Sequence, residues 1–186
     1  MSSLASQEQT VGDPFFSILE ILIILTMPLM VALMACVHVW ASPESKAYSL
    51  TALVFMGLTA GLTSSVHFVI LTLGHQPAFS ALSWLPLFLS FKWPSVVYAL
   101  DILAWDVFFA VSVLFAAQAF RGSKLATSIR MLMIVSGVLA IAGLSGVVAG
   151  DMRLRFVGVI GYAGVFPIAA LLVAIHFRRA QEPRLA

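Results

Sequence analysis

The chain has 186 residues, 61% of them hydrophobic and 10% charged, and a formal net charge of +2. With a mean hydropathy of +1.06 it lies outside the range of soluble globular domains and reads as an integral membrane protein. Its single cysteine, Cys36, excludes an intrachain disulfide, a CxxC redox motif and a thiolate metal site.

The first stretch, "MSSLASQEQTVGDP", carries no Lys or Arg. The apolar run after it has the length of a full span rather than of a signal-peptide core, so it reads as an uncleaved first helix. Five runs reach the roughly 20 apolar residues that a bilayer core requires: 15–41, 48–73, 94–120, 127–149 and 155–177. Between the second and third lies "PAFSALSWLPLFLSF". This short segment, 78–91, is interrupted by Pro86 and is too short to cross, which suggests an interfacial or re-entrant helix. The fold expected is all-α: one polytopic transmembrane helix bundle over residues 1–186, with five spanning helices and one short segment.

Basic residues set an orientation, because Lys and Arg in short loops stay on the cytoplasmic side. One side collects Lys46, Arg121, Lys124, Arg130, Arg178, Arg179 and Arg184; the other collects Lys92, Arg153 and Arg155. The expectation is an inner-membrane protein with its N-terminus outside and its C-terminus cytoplasmic. Trp40, Trp84 and Trp93 fall near predicted interfaces, where indole rings anchor. The tail "HFRRAQEPRLA" reads as a cytoplasmic anchor that can touch anionic lipid.

Small residues at four-residue spacing predict helix seams: Gly57, Gly61 and Ser65 on the second helix, Ala142, Gly146 and Gly150 on the fourth. Such glycine-rich faces also offer a route to a homo-oligomer. Pro28 and Pro167 fall near the middle of helices one and five and free the carbonyls of Ile24 and Ala163, so both helices are expected to bend there.

The third helix, "WPSVVYALDILAWDVFFA", carries two acids, Asp101 and Asp106. An Asp at a helix centre costs about 2.5 to 3.5 kcal/mol on insertion scales, while each Leu, Ile, Val or Phe returns about 0.3 to 0.6. Thirteen such residues between Pro94 and Phe120 roughly offset both acids. The helix can insert, with its acids facing protein or water rather than lipid. In an α-helix a separation of five rotates the side chain by about 140° and advances it by about 7.5 Å. That puts Asp101 on one face with Tyr98 and Trp105, and Asp106 on another with Ile102 and Phe109. Such a helix is buried on two sides, or its acids flank one wide cavity.

Depth suggests partners. Glu20, His67, Asp101 and Tyr162 all fall five to seven residues or so from the outer end of their helices. The expected site is therefore a layer of these four in the outer half of the bundle, with Asp106 deeper and Asp151, Arg153 and Arg155 near the rim. Three readings fit: buried polar glue that fixes helix register, a proton or small-solute pathway, and a metal or cofactor site. No HExxH or paired-His spacing supports a metal. His38 and His176 near the cytoplasmic ends invite a bis-histidine haem but are adequately explained as interfacial, and His75 as solvated in a loop. No nucleophile and base pair, GxSxG, P-loop, Rossmann glycine pattern or nucleic-acid signature stands out, so neither an enzyme nor a nucleic-acid partner is expected.

The stretches "SSVHFVILTL", "WPSVVYALDILAWDVFFA" and "DMRLRFVGVIGYAGVFP" resemble those of uncharacterised bacterial multi-pass, five-helix inner-membrane proteins. That resemblance covers most of the chain and implies no particular activity. The tryptophan-rich sensory or translocator proteins are similar in helix number and in an aromatic, proline-containing stretch. Here the comparable "WPSVVYAL" precedes the third helix rather than the second, and Trp is sparse. The function expected is binding or passage of a proton or small solute, with Asp101 and Asp106 as protonatable sites, His67 as partner or relay, and Glu20 and Tyr162 as lining residues. The alternatives are a membrane protein that binds an apolar ligand or a porphyrin-like cofactor, and a structural accessory subunit.

Overall fold

The computed structural model describes residues 14–74, 76 and 82–181. His75, Arg184 and residues 78–81 of the short segment lie outside these. Every regular element among the described residues is helical. Five helices are long and apolar enough to cross a membrane: α1 (Phe15–Trp40), α2 (Pro43–Leu73), α3 (Val96–Ala119), α4 (Lys124–Ala149) and α5 (Met152–Ala180). The chain is a multi-pass membrane protein. In hydrocarbon no water is available to the backbone, so each crossing satisfies its N–H and C=O groups internally, which a helix does within one segment.

The helices pack in chain order, α1 on α2, α2 on α3, α3 on α4 and α4 on α5. α3 is the central one: half of its apolar window is buried, against 22% for α1. Its inward face is mostly small, with Ala104, Ala110, Ala116 and Ala117 fully buried beside Phe109 and Val113. Met27, Met30 and Met34 of α1, Met56 of α2 and Met133 of α4 fill the remaining gaps, a use suited to an unbranched, flexible side chain. α1 and α5 meet through side chains, Trp40 lying 5.8 Å from Phe177.

Two helices are not α throughout. α3 is π-helical over Leu103–Phe109, and α5 over Ile160–Val165. A π turn bonds i to i+5 and so places one more residue in the turn than an α turn does. The adjoining helices approach the backbone at these points: Thr59 of α2 shares its hydroxyl between its own Phe55 carbonyl (2.9 Å) and the Ala104 carbonyl (3.4 Å), and Ser136 of α4 donates to that of Gly161 (2.9 Å). In α5, Pro167 has no N–H for the Ala163 carbonyl and stands two residues after the π stretch, a local cause for the departure. α1, by contrast, stays α-helical through Pro28.

The seams differ from those expected by spacing. Gly57, Gly61 and Ser65 are exposed, and a Cβ placed on either glycine meets nothing within 4 Å; that face of α2 looks away from the bundle. On α4, Ala142 and Gly150 lie outside the seam, which runs instead through Ser136, Ala140, Gly143 and Gly146. A Cβ on Gly161 would come 2.7 Å from the Ser136 carbonyl, and one on Gly143 would come 3.0 Å from the Gly158 Cα. Gly150 has the other use of glycine, a φ of 68° that ends α4. Four-residue spacing alone does not say which stripe faces protein, and here the stripe one residue on from Ala142 does.

Among its described residues, the loop between α2 and α3 has a 3₁₀ turn at Leu85–Leu87, within the expected short segment 78–91. This loop brings Phe91 over the bundle and ends at Ser95, which caps α3 by accepting from the Tyr98 N–H at 3.2 Å and donates in turn to the Ser90 carbonyl.

Candidate functional site

The ionisable residues gather toward the Phe15 end of the bundle. Glu20 of α1 accepts from or donates to His67 of α2, Oε2 to Nδ1, at 2.7 Å. The other ring nitrogen of His67, Nε2, stands 3.8 Å from Oδ1 of Asp101 on α3. Arg155 of α5 then donates from Nη2 to Asp101 Oδ2 (3.0 Å) and from Nε to Asp106 Oδ2 (3.3 Å). The result is one chain of five side chains from four helices, Glu20, His67, Asp101, Arg155, Asp106. None of the five is more than 8% exposed. Ion pairs this deep are held by geometry, because each charge removed from water requires a close partner.

Of the residues singled out from sequence, Glu20, His67 and Asp101 do come together. Tyr162 lines the same space, its ring tilted against that of Trp105 at 4.9 Å between centroids rather than joined to the charged chain. Two expectations need correction. Arg155 is not at the rim: it is 6% exposed and is the link between the two acids. Nor are Asp101 and Asp106 dispersed to separate surroundings. The π stretch that begins at Leu103 reduces the rotation between positions five apart, and the forked guanidinium spans what remains.

Local structure explains how Arg155 gets there. Asp151 accepts from the Arg153 N–H at 3.0 Å, turning the chain into the 3₁₀ start of α5, Met152–Arg155. Gly146 of α4 lies beneath it, where a Cβ would come within 2.9 Å of the Arg155 backbone nitrogen. The guanidinium also covers the ring of Tyr98, 4.7 Å from its centroid, a favourable placement for a cation. Sequence offers one signal for this residue: an arginine at the N-terminal edge of an apolar run, in a chain with excess acids inside its helices.

Asp106 is fully buried, and its Oδ1 has no hydrogen bond among the described residues. That oxygen faces Gly158, where a Cβ would stand 3.1 Å away, and Gly143 lies as close to Oδ2. Two glycines on two helices thus leave room for one carboxylate.

Before the chain of charges lies a cavity of about 530 Å³ between α1, α3 and α5, into which Glu20, His67, Asp101 and Arg155 look together with Phe91 and Trp105. Asp106 lies behind Arg155 and does not reach it. A second cavity of about 310 Å³ continues between α1 and α5 and shares Trp105 and Tyr162 as a common wall. A third, of about 550 Å³, opens between the same two helices near Cys36 and Trp40.

The remaining histidines have separate neighbours. His38 pairs through Nδ1 with Ser49 at 3.0 Å, and His176 stands edge-on to Trp40, 4.8 Å between centroids. Among the described residues, no group of His, Cys, Asp and Glu is arranged to hold a metal ion. Comparison of the chain with protein-family models, with curated proteins and with solved structures finds no match in any of the three.

Proposed function

We propose that the chain binds a proton at the Glu20, His67 and Asp101 triad in the course of proton or small-solute movement, and that the change in charge is felt along the buried chain as far as Asp106. The observation that carries this reading is His67 standing between two carboxylates. A neutral imidazole has one N–H and one lone pair. In the tautomer with the proton on Nδ1 toward Glu20, Nε2 presents a lone pair to Asp101, acceptor against acceptor, at 3.8 Å. One added proton, on either Nε2 or Asp101 Oδ1, turns that opposition into a hydrogen bond. Arg155, which keeps its own protons, links Asp101 to Asp106, so a charge change at one acid is felt at the other.

The same reading puts the protein in a bacterial inner membrane, with the N-terminus outside. Support comes from the resemblance to bacterial multi-pass proteins and from the basic residues. With Arg155 engaged inside the bundle, the Phe15 end keeps only Lys92 and Arg153 at its rim. The Trp40 end carries Lys46, Arg121, Lys124, Arg130, Arg178 and Arg179.

The test is a pH jump on purified protein with an indicator dye. The wild type is expected to take up one proton per chain that His67→Gln, which keeps one donor and one acceptor, does not. Equal uptake by wild type, His67→Gln and Asp101→Asn would overturn the reading. In liposomes under an imposed gradient, the same variants are expected to slow internal acidification.

A further inference from the structure

The cavity before the charged chain has two kinds of wall. One is acidic: Glu20 bonds His67 through Oε2 alone and Asp101 bonds Arg155 through Oδ2 alone, so Glu20 Oε1 and Asp101 Oδ1 have no hydrogen bond among the described residues. The other is aromatic, made by Phe91, Tyr98, Trp105 and Tyr162. Charge does not balance across the first wall. Two carboxylates, those of Glu20 and Asp101, line it with one guanidinium and one imidazole. With His67 neutral, one negative charge is in excess, in a place where an unpaired charge is costly.

The geometry points to a hydrophobic organic cation, an amine or onium with an apolar body, as the occupant of this cavity. It enters from the bilayer between α1 and α5, where Leu19 forms an exposed lip. Its charge sits between Glu20 and Asp101, and its body lies on Trp105 and Tyr162. Aromatic faces attract a cation as well as an apolar surface, and Arg155 over Tyr98 already uses that attraction in this cavity. The volume, about 530 Å³, suits a small organic molecule. A longer apolar tail has room in the adjoining 310 Å³ beyond Trp105 and Tyr162. A neutral apolar guest leaves the excess charge unpaired, and an anion adds to it. This inference rests on the proton reading above, since cation and proton then compete for the same carboxylates and binding weakens as pH falls.

Two probes of the same shape and opposite charge provide the test: tetraphenylphosphonium and tetraphenylborate, measured by equilibrium dialysis against detergent-solubilised full-length protein with empty micelles as blank. Saturable binding of the phosphonium only is expected, weakened up to tenfold per pH unit on acidification. Glu20→Gln is expected to weaken it at least tenfold and Trp105→Ala severalfold. Equal binding of both probes by the wild type, or neither binding, would overturn the inference, and this needs no variant to fold. Proton uptake measured without any probe separates the two proposals. Uptake that depends on His67 with no phosphonium binding defeats the cation alone. Phosphonium binding that ignores pH, with no His67-dependent uptake, defeats the proton reading and with it the competition proposed here.

Discussion

The two ends of this bundle are built by opposite means. Toward the Phe15 end, α3 carries Asp101 and Asp106, and helix positions there are tied by charge, Arg155 reaching from α5 to both. Toward the Trp40 end the same helix continues as Phe109, Ala110, Val113, Ala116 and Ala117, all fully buried, with no charged side chain among them; the buried hydroxyl of Ser112 donates to the Ala52 carbonyl of α2 at 2.7 Å. Lys46 donates to the carbonyls of His38 and Val39, closing the C-terminal end of α1, and Trp40 stacks on Phe120 at 5.5 Å. Asp106 is therefore the deeper of the two acids of α3, and below it the helix carries no further ionisable side chain.

The comparison is most easily broken at its charged end. Arg155→Met leaves buried Asp106 without a partner and Asp101 with His67 alone, and is expected to cost about 3 to 5 kcal/mol, read by chemical unfolding in detergent. Lys46→Ala at the other end is expected to cost only about 0.3 to 1 kcal/mol, the scale of a cation at a helix C-terminus. Equal losses would erase the distinction between the ends. Next in size is Gly158→Ala, which places a methyl against Asp106 Oδ1 and the Ala140 carbonyl. Overpacking of this kind costs about 1 to 3 kcal/mol, and proton uptake should change with it because Asp106 must shift.

A smaller effect belongs to the π stretch of α3. Thr59→Val removes the hydroxyl that serves the Ala104 carbonyl, and is expected to cost about 0.6 kcal/mol, at most about 1.7, as interhelical hydrogen bonds in membranes do. Gly57→Ala should have the smallest effect and the opposite sign. Its added Cβ meets nothing, so the helix gains up to about 1 kcal/mol in propensity. A loss there would mean that this face of α2 is covered by something outside the chain.

Much of this was legible in the residues. Five apolar runs of spanning length give five helices because the bilayer fixes how long a crossing must be. Counting residues from helix ends placed Glu20, His67 and Asp101 at one depth, since the rise per residue is constant. The same counting failed for Arg155, which a local turn at Asp151 and the missing side chain of Gly146 tuck under the bundle. It failed for Asp101 with Asp106 because regular α geometry was assumed across Leu103–Phe109. Tertiary contacts such as Thr59 with Ala104 decide where a helix widens, and no local pattern announces them. The stripe on α4 was misread by one residue because Ala142 and Gly143 are both small, and only the partner helix distinguishes them.

The wide turn in α3 bears on how kindred chains should be recognised. A π turn amounts to one residue inserted into an α-helix, so deleting one residue, for instance the exposed Leu103, restores an uninterrupted helix with both flanks in register. Two acids five apart here correspond to two acids four apart in a chain without the insertion. A search for relatives should therefore accept either spacing, and an alignment gap within Leu103–Phe109 would mark the same helix with one turn drawn tighter.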